Sequence, residues 1–323
     1  MFVSKFKLTS IKAFRFFSFK LITSVFFRKK VNAFLHSEII KIIEKTIASS
    51  WDFEDEYKRL SYNKGNESIH AQENVIWVCW LQGEKNSPDI VKACIESIRK
   101  KFLNGTVIII DEANFHDYVA LPKYILSKYS SGKITKTHFS DILRWALLSR
   151  YGGYWVDATV FMTKKFVVKN DSNLVTFKHQ IDDEYTYISN GRWTGFFIGV
   201  PKDYVPASEI LKILYKYWFF RDELIDYFLI DYVLEIIHGS NDQFADDINS
   251  YAIFNKDLYY MSSVITEEVN DDVINRITTS GCGVFKLTYK VNNESSLSNI
   301  SLFNKVISCR GGNIEGLNNS DGI

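Results

Sequence analysis

Two short runs of almost entirely apolar residues constrain the fold of this chain more than any other feature of its sequence. Residues 75–80 read Val-Ile-Trp-Val-Cys-Trp, and residues 106–110 read Thr-Val-Ile-Ile-Ile. Each run has the length of a β-strand, and apolar residues at successive positions indicate burial on both faces. Between them, Pro88 marks a helix start and an apolar stripe extends to about Lys101. The pattern predicts a right-handed βαβ unit with parallel strands, and therefore an α/β fold.

Composition and charge exclude several classes of protein. Of the 323 residues, 46% are hydrophobic and 24% are charged, which excludes a disordered chain, a coiled coil and collagen. Residues 1–37 hold eight of the 39 basic residues and none of the 38 acidic ones, so the remainder carries a formal charge of −7. Because non-specific binding to nucleic acid requires a basic face, we expect no nucleic-acid partner.

The cysteines indicate a reducing compartment. There are four of them, they are far apart in the sequence, and no pair has the spacing of a zinc or redox motif. So few cysteines in a chain of this length predict free thiols and a cytoplasmic protein rather than a disulfide framework. They are Cys79, Cys94, Cys282 and Cys309.

The segment 1–37 is rich in both Phe and Lys. Its longest uncharged stretch before the basic cluster at 28–30 is residues 21–27, far short of the about 20 apolar residues that span a membrane. No small-residue cleavage site follows, which argues against a signal peptide. Apolar residues at helical spacing among lysines predict a segment that lies in the headgroup layer of an anionic membrane. The alternative is a basic first helix that packs on the protein.

The rest of the chain is predicted to form one catalytic domain after a helical lead-in. The segments are a basic, membrane-associating tail (1–37), a lead-in of helix and polar loop (38–73), a ligand-binding core (74–200) and a helical, acceptor-side region of the same domain (201–323). Further strands are expected at 174–177, 185–188 and 193–200, and helices at 208–220 and 222–237. The carboxyl-terminal third otherwise reads as irregular, apart from residues 284–290.

Residues 140–159 carry the chemistry of this sequence. Ser140 is predicted to cap a largely apolar helix over 141–150, Gly152-Gly153 ends it, and a short strand over 154–156 delivers Asp157. Ligands of open α/β sheets bind beyond the carboxyl ends of strands. The chain has no GxGxxG after a strand, no GxxxxGK[ST], no GxSxG and no HExxH, which argues against dinucleotide enzymes, P-loop nucleotidases, esterases and zinc proteases.

The run Ser-Asp-Ile-Leu-Arg at 140–144, followed by Tyr-Gly-Gly-Tyr-Trp-Val-Asp-Ala-Thr at 151–159, resembles a signature of nucleotide-sugar glycosyltransferases. That signature, S-D-x-L-R…G-G-x-[YW]-x-D-x-[DT], occurs in Och1-like transferases, glucosylating toxins and capsular polysaccharide synthesis proteins, and the last group is the most similar. Flanking runs extend the resemblance from about residue 74 to 290. It implies a GT-A-type fold: a Rossmann-like mixed sheet flanked by helices, with additional helices at both ends.

The resemblance also implies roles for three residues. Asp141 and Arg144 match the sugar-binding pair of the family, and Asp157 matches the ligand of a Mn²⁺ or Mg²⁺ ion that stabilises charge on the departing diphosphate. Family members often carry a second acid at the position of Thr159, and the Asp-Ala-Thr form is the one expected of capsular proteins. Without the resemblance, Asp141 and Arg144 also fit an ion pair on the surface of a helix, and Asp157 also fits an aspartate in the turn after a strand.

Other residues are placed around these three by their positions at strand ends. Trp80 and Gln82 are expected to contact the nucleobase, Asp111 and Asn114 the ribose, and Lys286 the diphosphate. The alternatives are core packing for Trp80 and a simple turn for Asp111 and Asn114. Asn190 and Trp193 are expected where the acceptor or donor sugar stacks, and Asp231 is a further candidate that, with Lys286, completes the site.

The function that follows from the resemblance is transfer of a sugar from a nucleotide-diphosphate sugar to a growing bacterial surface polysaccharide, a capsule or an O-antigen. Retention of the anomeric configuration is expected, with a lipid-linked or polysaccharide acceptor at the inner face of the cytoplasmic membrane. The main alternative is a catalytically silent, glycan-binding or scaffolding member of a polysaccharide assembly complex. A metal-dependent phosphohydrolase is a weaker alternative, since one clear carboxylate gives too few ligands for two metals.

Overall fold

The computed structural model describes residues 24–48, 75–167, 173–292 and 294–309. Most of the predicted membrane-associating tail and the predicted loop before residue 75 lie outside these ranges. The helices are α1 (Val25–Ile47), α2 (Asp89–Lys101), α3 (Phe115–Tyr118), α4 (Lys123–Ser130), α5 (Lys136–Tyr151), α6 (Val205–Phe220), α7 (Leu229–Ser240), α8 (Asp242–Tyr251), α9 (Tyr260–Ser263), α10 (Asp271–Thr279) and α11 (Leu302–Cys309). Short 3₁₀ turns occupy Glu84–Asn86 and Glu294–Ser296.

Ten strands are described in three sheets. They are β1 (Val75–Cys79), β2 (Phe102–Leu103), β3 (Thr106–Ile110), β4 (Gly153–Val156), β5 (Val160–Met162), β6 (Phe166–Val167), β7 (Val175–Lys178), β8 (Phe197–Val200), β9 (Ile253–Phe254) and β10 (Val284–Lys286). The main sheet has the order β3-β1-β4-β8-β7-β9, and two-stranded sheets pair β10 with β5 and β2 with β6.

The main sheet is mixed, as expected of the predicted fold. Strand β1 lies parallel to both β3 and β4, while β8 runs antiparallel to β4 and β7. The predicted βαβ unit, β1-α2-β3, is therefore confirmed, and so is the α/β class with a mixed sheet flanked by helices. The three parallel strands at one end of the sheet, β3, β1 and β4, direct their carboxyl ends to the same side, where the residues that follow them meet.

Helices cover both faces of the main sheet, which explains why its strands are apolar at successive positions. Side chains alternate along β1 and β4, so that Trp77 and Trp155 enter one core and Ile76 and Val156 enter the other. The first core also contains residues of α1, α5, α6 and α7, and the second contains residues of α2, α10 and α11. All four of these strand residues are fully buried.

The Gly152-Gly153 pair is required by close packing at the start of β4. Gly153 has a φ of 87°, and a Cβ atom there would lie 2.4 Å from the carbonyl oxygen of Val75. Gly152 has a φ of 66°, and its carbonyl oxygen accepts a hydrogen bond from Trp77 Nε1 at 3.0 Å. The two glycines thus let β4 approach β1 closely enough to place Asp157 at the sheet edge.

Helix α1 runs through residue 37 and joins the end of the predicted tail to the start of the predicted lead-in. One face of it is buried in the first core through Leu35, Ile39 and Ile43. The described helices include none that is long and apolar enough to cross a membrane. The four cysteines are free thiols, as the sequence predicts.

Several predicted elements differ from the observed ones. Residues 185–188 form turns rather than a strand, because Asp182 accepts hydrogen bonds from the backbone N–H groups of Glu184 and Thr186. The helix predicted over 222–237 begins only at Leu229. The carboxyl-terminal third is not irregular: it contains α8, α10 and α11, and Asn241 and Asn270 cap the first two of these with their side chains.

Candidate active site

Helix α5 places Asp141 and Arg144 on its one polar stripe, next to the main sheet. The helix starts five residues earlier than predicted, because the N-cap is Thr135 rather than Ser140: the side chain of Thr135 accepts a hydrogen bond from His138 N. Arg144 Nη1 donates to Asp141 Oδ1 at 2.9 Å, and both side chains are more than nine-tenths buried. The imidazole of His138 lies 3.6 Å from the other oxygen of Asp141.

Asp157 follows β4 and is held by both the sheet and the helix. Its backbone N–H donates to Phe196 O at 2.8 Å, which continues the pairing of β4 with β8. Its Oδ1 accepts hydrogen bonds from Trp155 Nε1 at 2.8 Å and from Arg144 Nη2 at 3.3 Å. The guanidinium of Arg144 therefore bridges two carboxylates that are 16 residues apart in the sequence, Asp141 and Asp157.

Lys286 completes a line of alternating charges. It ends β10, and the pairing of β10 with β5 sets it opposite Val160. Its Nζ donates to Asp157 Oδ2 and to Thr159 Oγ1, each at 2.7 Å, and lies 4.9 Å from the ring centre of Phe196. The resulting order is Asp141, Arg144, Asp157 and Lys286, with each charge in contact with the next.

The two carboxylates of this line differ in their pKa. Burial raises the pKa of Asp141 above its ordinary value, although Arg144 and His138 act in the opposite direction. Burial also disfavours ionisation of Asp157, but the charges of Lys286 and Arg144 outweigh it and hold its pKa below the ordinary value. Asp157 is therefore the firmly ionised carboxylate, and its negative charge keeps both cations in position.

Asp231, predicted to complete the site, lies near this line but has different hydrogen-bond partners. It is on the first turn of α7, and its Oδ1 accepts a hydrogen bond from Trp193 Nε1 at 2.9 Å. Burial raises the pKa of Asp231 to about 6, and the nearby charge of Asp141 adds to the effect. The ring of Trp193 is fully buried and offers no stacking surface, so its role is to position Asp231.

The residues predicted to bind the ribose form a tight turn after β3. Asp111 Oδ1 accepts hydrogen bonds from the N–H groups of Ala113 and Asn114. The side chain of Asn114 accepts from Asp111 N and donates to Ile109 O, at 2.9 and 2.8 Å. The turn thus uses both polar groups of Asn114 and one oxygen of Asp111. The other oxygen, Oδ2, faces Gly83 after β1.

The residues predicted to contact the nucleobase lie at the end of β1. Trp80 packs edge to face against Tyr289, with ring centres 5.3 Å apart, and Gln82 is exposed. Among the described residues, Trp80 Nε1 has no hydrogen-bond partner. Asn190 is farther along the chain in a loop, where its Oδ1 accepts from Asp182 N. The structure therefore brings together Asp141, Arg144, Asp157, Lys286 and Asp231, while Asn190 supports a turn.

Sequence reasoning missed several residues that position this site. Trp155 and Phe196 support Asp157 and Lys286, and Gly195 leaves room for Arg144, because a Cβ atom there would lie 3.3 Å from its Nη1. A signal existed for Trp155: residues two apart on a strand share a face, so its indole had to lie beside Asp157. Neither Gly195 nor Phe196 had a comparable signal, since their contacts depend on how β8 pairs.

The observed mixed sheet flanked by helices is the fold class that the sequence predicts, and the site lies beyond the carboxyl ends of its parallel strands. The profile of the capsular polysaccharide synthesis protein family matches residues 21–306, and the chain belongs to this family. The match confirms the predicted family, and the predicted fold and enzyme class agree with it. No curated protein matches the chain.

The solved structures that are similar to this one include two glycosyltransferases. The PaToxG glycosyltransferase has 16% sequence identity and a TM-score of 0.36, over 67% of this chain and 83% of that one. The apo structure of the bifunctional glycosyltransferase WbbM has 11% identity and a TM-score of 0.40, over 76% of this chain and 51% of that one. The chain thus spans about half the length of the WbbM structure.

Proposed function

We propose that this chain transfers a sugar from a nucleotide-diphosphate sugar to a growing bacterial surface polysaccharide, a capsule or an O-antigen. The observation that carries the proposal is the line of charges at the carboxyl end of β4, in which Arg144 and Lys286 flank Asp157. Cations fixed in a partly buried site are suited to stabilising the charge that develops on a leaving diphosphate. Membership of the capsular polysaccharide synthesis family supports the acceptor class.

The site divides into a buried end and an open end. The side chains of Asp141 and Arg144 are 8% and 6% exposed, whereas those of Asp157 and Lys286 are 28% and 21% exposed. In our proposal the diphosphate approaches the open end and contacts Lys286. The sugar lies over the buried end, where Asp141 accepts hydrogen bonds from its hydroxyl groups and Arg144 donates to them.

The transfer itself requires one bond to break and one to form. The bond between the anomeric carbon and the β-phosphate oxygen breaks, and its electron pair stays on that oxygen. The acceptor hydroxyl oxygen bonds to the anomeric carbon on the same face, which retains the configuration. Its proton passes to the departing diphosphate. In this scheme Lys286 and Arg144 stabilise the negative charge of the leaving group, and Asp157 fixes their positions.

A cavity that adjoins β10 supports an acceptor site. It has a volume of about 350 Å³ and is lined by residues that include Leu258, Tyr259 and Tyr260. Lys286 N donates to Leu258 O at 2.7 Å, so the cavity adjoins the strand that carries the lysine. Its volume is within the range of ligand pockets, and its tyrosine rings suit the apolar faces of sugars.

The amino-terminal end of α1 supports a membrane location for the acceptor reaction. Its exposed side chains include Val25, Phe26, Phe27 and Phe34. Lys29 and Lys30 lie among them, and Lys30 Nζ is 4.4 Å from the ring centre of Phe26. Aromatic rings mixed with lysines suit the headgroup layer of an anionic membrane. We therefore propose that the enzyme acts at the inner face of the cytoplasmic membrane, on a lipid-linked or polysaccharide acceptor.

The proposed donor site is tested by calorimetric titration of nucleoside diphosphates. UDP, GDP, ADP, CDP and dTDP are titrated into the wild type, into Asp157→Asn and into a control, Asp89→Asn, whose carboxylate is exposed on α2. We expect one nucleotide to bind the wild type and the control, and to bind Asp157→Asn about 10- to 100-fold more weakly. Binding of a glycan but of no nucleotide would instead indicate a silent scaffold.

A further inference from the structure

We propose that the ammonium group of Lys286 takes the place of a divalent cation in this donor site, so that the chain binds and uses its nucleotide-diphosphate sugar without a metal. The inference rests on the proposed function, because it concerns the same site. It differs from the expectation set by the D-x-[DT] run, in which Asp157 is a ligand of Mn²⁺ or Mg²⁺. The geometry around Asp157 and Thr159 carries it.

The position of the expected metal is filled by a side chain. A cation held by the first and third residues of the D-x-T run would lie between Asp157 Oδ2 and Thr159 Oγ1. Lys286 Nζ lies there, 2.7 Å from each oxygen. Mg²⁺ sits 2.0–2.1 Å from its oxygen ligands and requires a near-octahedral set of them. A metal can reach both oxygens only if Lys286 leaves.

The donor set of a divalent cation is also missing around Asp157. Its Oδ1 already accepts hydrogen bonds from Trp155 and Arg144, and its Oδ2 accepts one from Lys286. Among the described residues, no group of three or more His, Cys, Asp or Glu side chains is arranged to hold a metal ion. The nearby donors are cationic groups and an indole, none of which is a metal ligand. The residues present therefore do not fit the expected metal.

The charges along this line are already balanced. Two carboxylates, Asp141 and Asp157, face two cations, Arg144 and Lys286, in alternating contact. A dication beside Asp157 would be repelled by the positive charges of Arg144 and Lys286, both of which contact Asp157. In a D-x-D site, the second carboxylate supplies the compensating charge. Here the third position is Thr159, whose hydroxyl accepts from an ammonium without adding a negative charge.

The backbone fixes Lys286 in this position. Lys286 N donates to Leu258 O at 2.7 Å, and Leu287 N donates to Thr159 O at 2.9 Å. The second bond continues the pairing of β10 with β5, which brings residues 127 positions apart in the sequence side by side, and the first joins β10 to the segment before α9. The ring of Phe196 lies beneath the ammonium group. Lys286 is thus a built part of the site, and its exposed fraction of 21% leaves it open to a diphosphate.

The test compares nucleotide affinity with and without metal in two variants. The best nucleoside diphosphate from the titration above is added to the wild type, to Lys286→Met and to the control Lys92→Met, an exposed lysine of α2. Each protein is titrated in EDTA and in Mn²⁺. We expect the wild type and the control to bind equally in both, within about threefold, and Lys286→Met to bind about 10- to 100-fold more weakly in EDTA.

A second variant separates a metal requirement from a folding defect. Lys286→Met/Thr159→Asp removes the ammonium group and supplies the second carboxylate of a D-x-D run. We expect it to bind the nucleotide only with Mn²⁺, and thermal unfolding of each variant shows whether it is folded. Wild-type binding that requires Mn²⁺ would overturn this inference but leave the proposed function intact. No binding of any nucleotide under either condition would overturn both.

Discussion

Two carboxyl groups at this site, Asp157 after β4 and Asp231 on α7, have opposite electrostatic surroundings. Asp157 contacts two cations, Arg144 and Lys286, which hold its pKa below the ordinary value. Asp231 accepts a hydrogen bond from the indole of Trp193. Burial raises the pKa of Asp231 to about 6, and the nearby charge of Asp141 adds to the effect. The surroundings of Asp157, on the β4 side of the site, therefore stabilise a permanent negative charge, whereas those of Asp231, on the α7 side, do not.

The difference assigns the two sides to different parts of the reaction. A diphosphate carries negative charge and requires cations that stay in place, which the Asp157 side provides. Because the pKa of Asp231 is about 6, its protonated and ionised forms are both populated near neutral pH, and either form can hydrogen-bond to a sugar hydroxyl group. We therefore expect the α7 side to contact sugar rather than phosphate. Three predictions concern these two residues and a fourth concerns Gly195, and they are ordered by the size of the expected effect.

The largest expected effect is on the rate of donor cleavage. Asp157→Asn frees Lys286 and Arg144 from their shared carboxylate, and we expect kcat/KM for release of nucleoside diphosphate to fall about 10²- to 10³-fold. Asp231→Asn keeps a carbonyl oxygen for Trp193, and we expect a fall of less than about tenfold. Equal losses in the two variants, measured by coupled assay of the released nucleotide, would remove the distinction between the two sides.

The second prediction concerns folding stability at pH 7, where the two variants should change it in opposite directions. Asp157→Asn removes the carboxylate that Lys286 and Arg144 share and should lower the free energy of unfolding by about 1 to 3 kcal/mol, below the about 3 to 5 kcal/mol of a fully buried ion pair because Asp157 is partly exposed. Asp231→Asn removes a carboxylate whose ionisation burial disfavours, and should raise it by about 1 to 2 kcal/mol. Urea unfolding measures both. Destabilisation by both variants would contradict the account of Asp231.

The third prediction is the pH dependence of stability. The pKa of Asp231 is higher in the folded chain, at about 6, than its ordinary value of 3.8, so the folded state binds more protons between these values. Its contribution to stability is therefore full below pH 4 and is lost as the pH rises towards 6. Asp157 has a lowered pKa, so its contribution is full above its ordinary pKa and is lost as the pH falls.

These opposite slopes are measured as the melting temperature from pH 3 to pH 7. The melting temperature of the wild type minus that of Asp231→Asn should decrease as the pH rises from 4 to 6. The melting temperature of the wild type minus that of Asp157→Asn should decrease as the pH falls below 4. A difference that does not depend on pH for either variant would mean that the carboxyl group has an ordinary pKa.

The smallest expected effect is that of Gly195→Ala. The added methyl group would lie 3.3 Å from Arg144 Nη1 and would push the guanidinium towards Asp141 or Asp157. We expect kcat/KM to fall about threefold to tenfold, with little change in folding stability. Gly239→Ala is the control, because a Cβ atom there meets nothing within 4 Å. An unchanged kcat/KM would show that Arg144 tolerates displacement.

The sequence predicted the sheet better than the site. The strands β1, β3 and β4 are apolar and bounded by turns, so local pattern was sufficient for them. The contact of Lys286 with Asp157 was not predictable from pattern, because it joins residues 129 positions apart through a strand pair of three residues each. Lys286 was expected near the diphosphate, but nothing in the sequence indicated that it would lie between Asp157 and Thr159.

Some errors had a signal that was overlooked. Asn241 and Asn270 are helix caps, and each precedes acidic residues in a first turn, which is a start pattern for α8 and α10. The strand expected at 185–188 is a different case. Its alternating Tyr185 and Tyr187 suggested a strand, but Asp182 folds the backbone into turns. Local side-chain hydrogen bonds decided the outcome there, and an alternating pattern does not reveal them.

The most direct test of the central claim is a crystal structure with the bound nucleoside diphosphate, grown in the presence of Mn²⁺ and recorded at the manganese absorption edge. The account predicts diphosphate oxygens within hydrogen-bond distance of Lys286 Nζ, with Lys286 still in contact with Asp157 and no anomalous peak between Asp157 and Thr159. An anomalous peak at that position, with Lys286 displaced and the diphosphate bound to the metal, would contradict it.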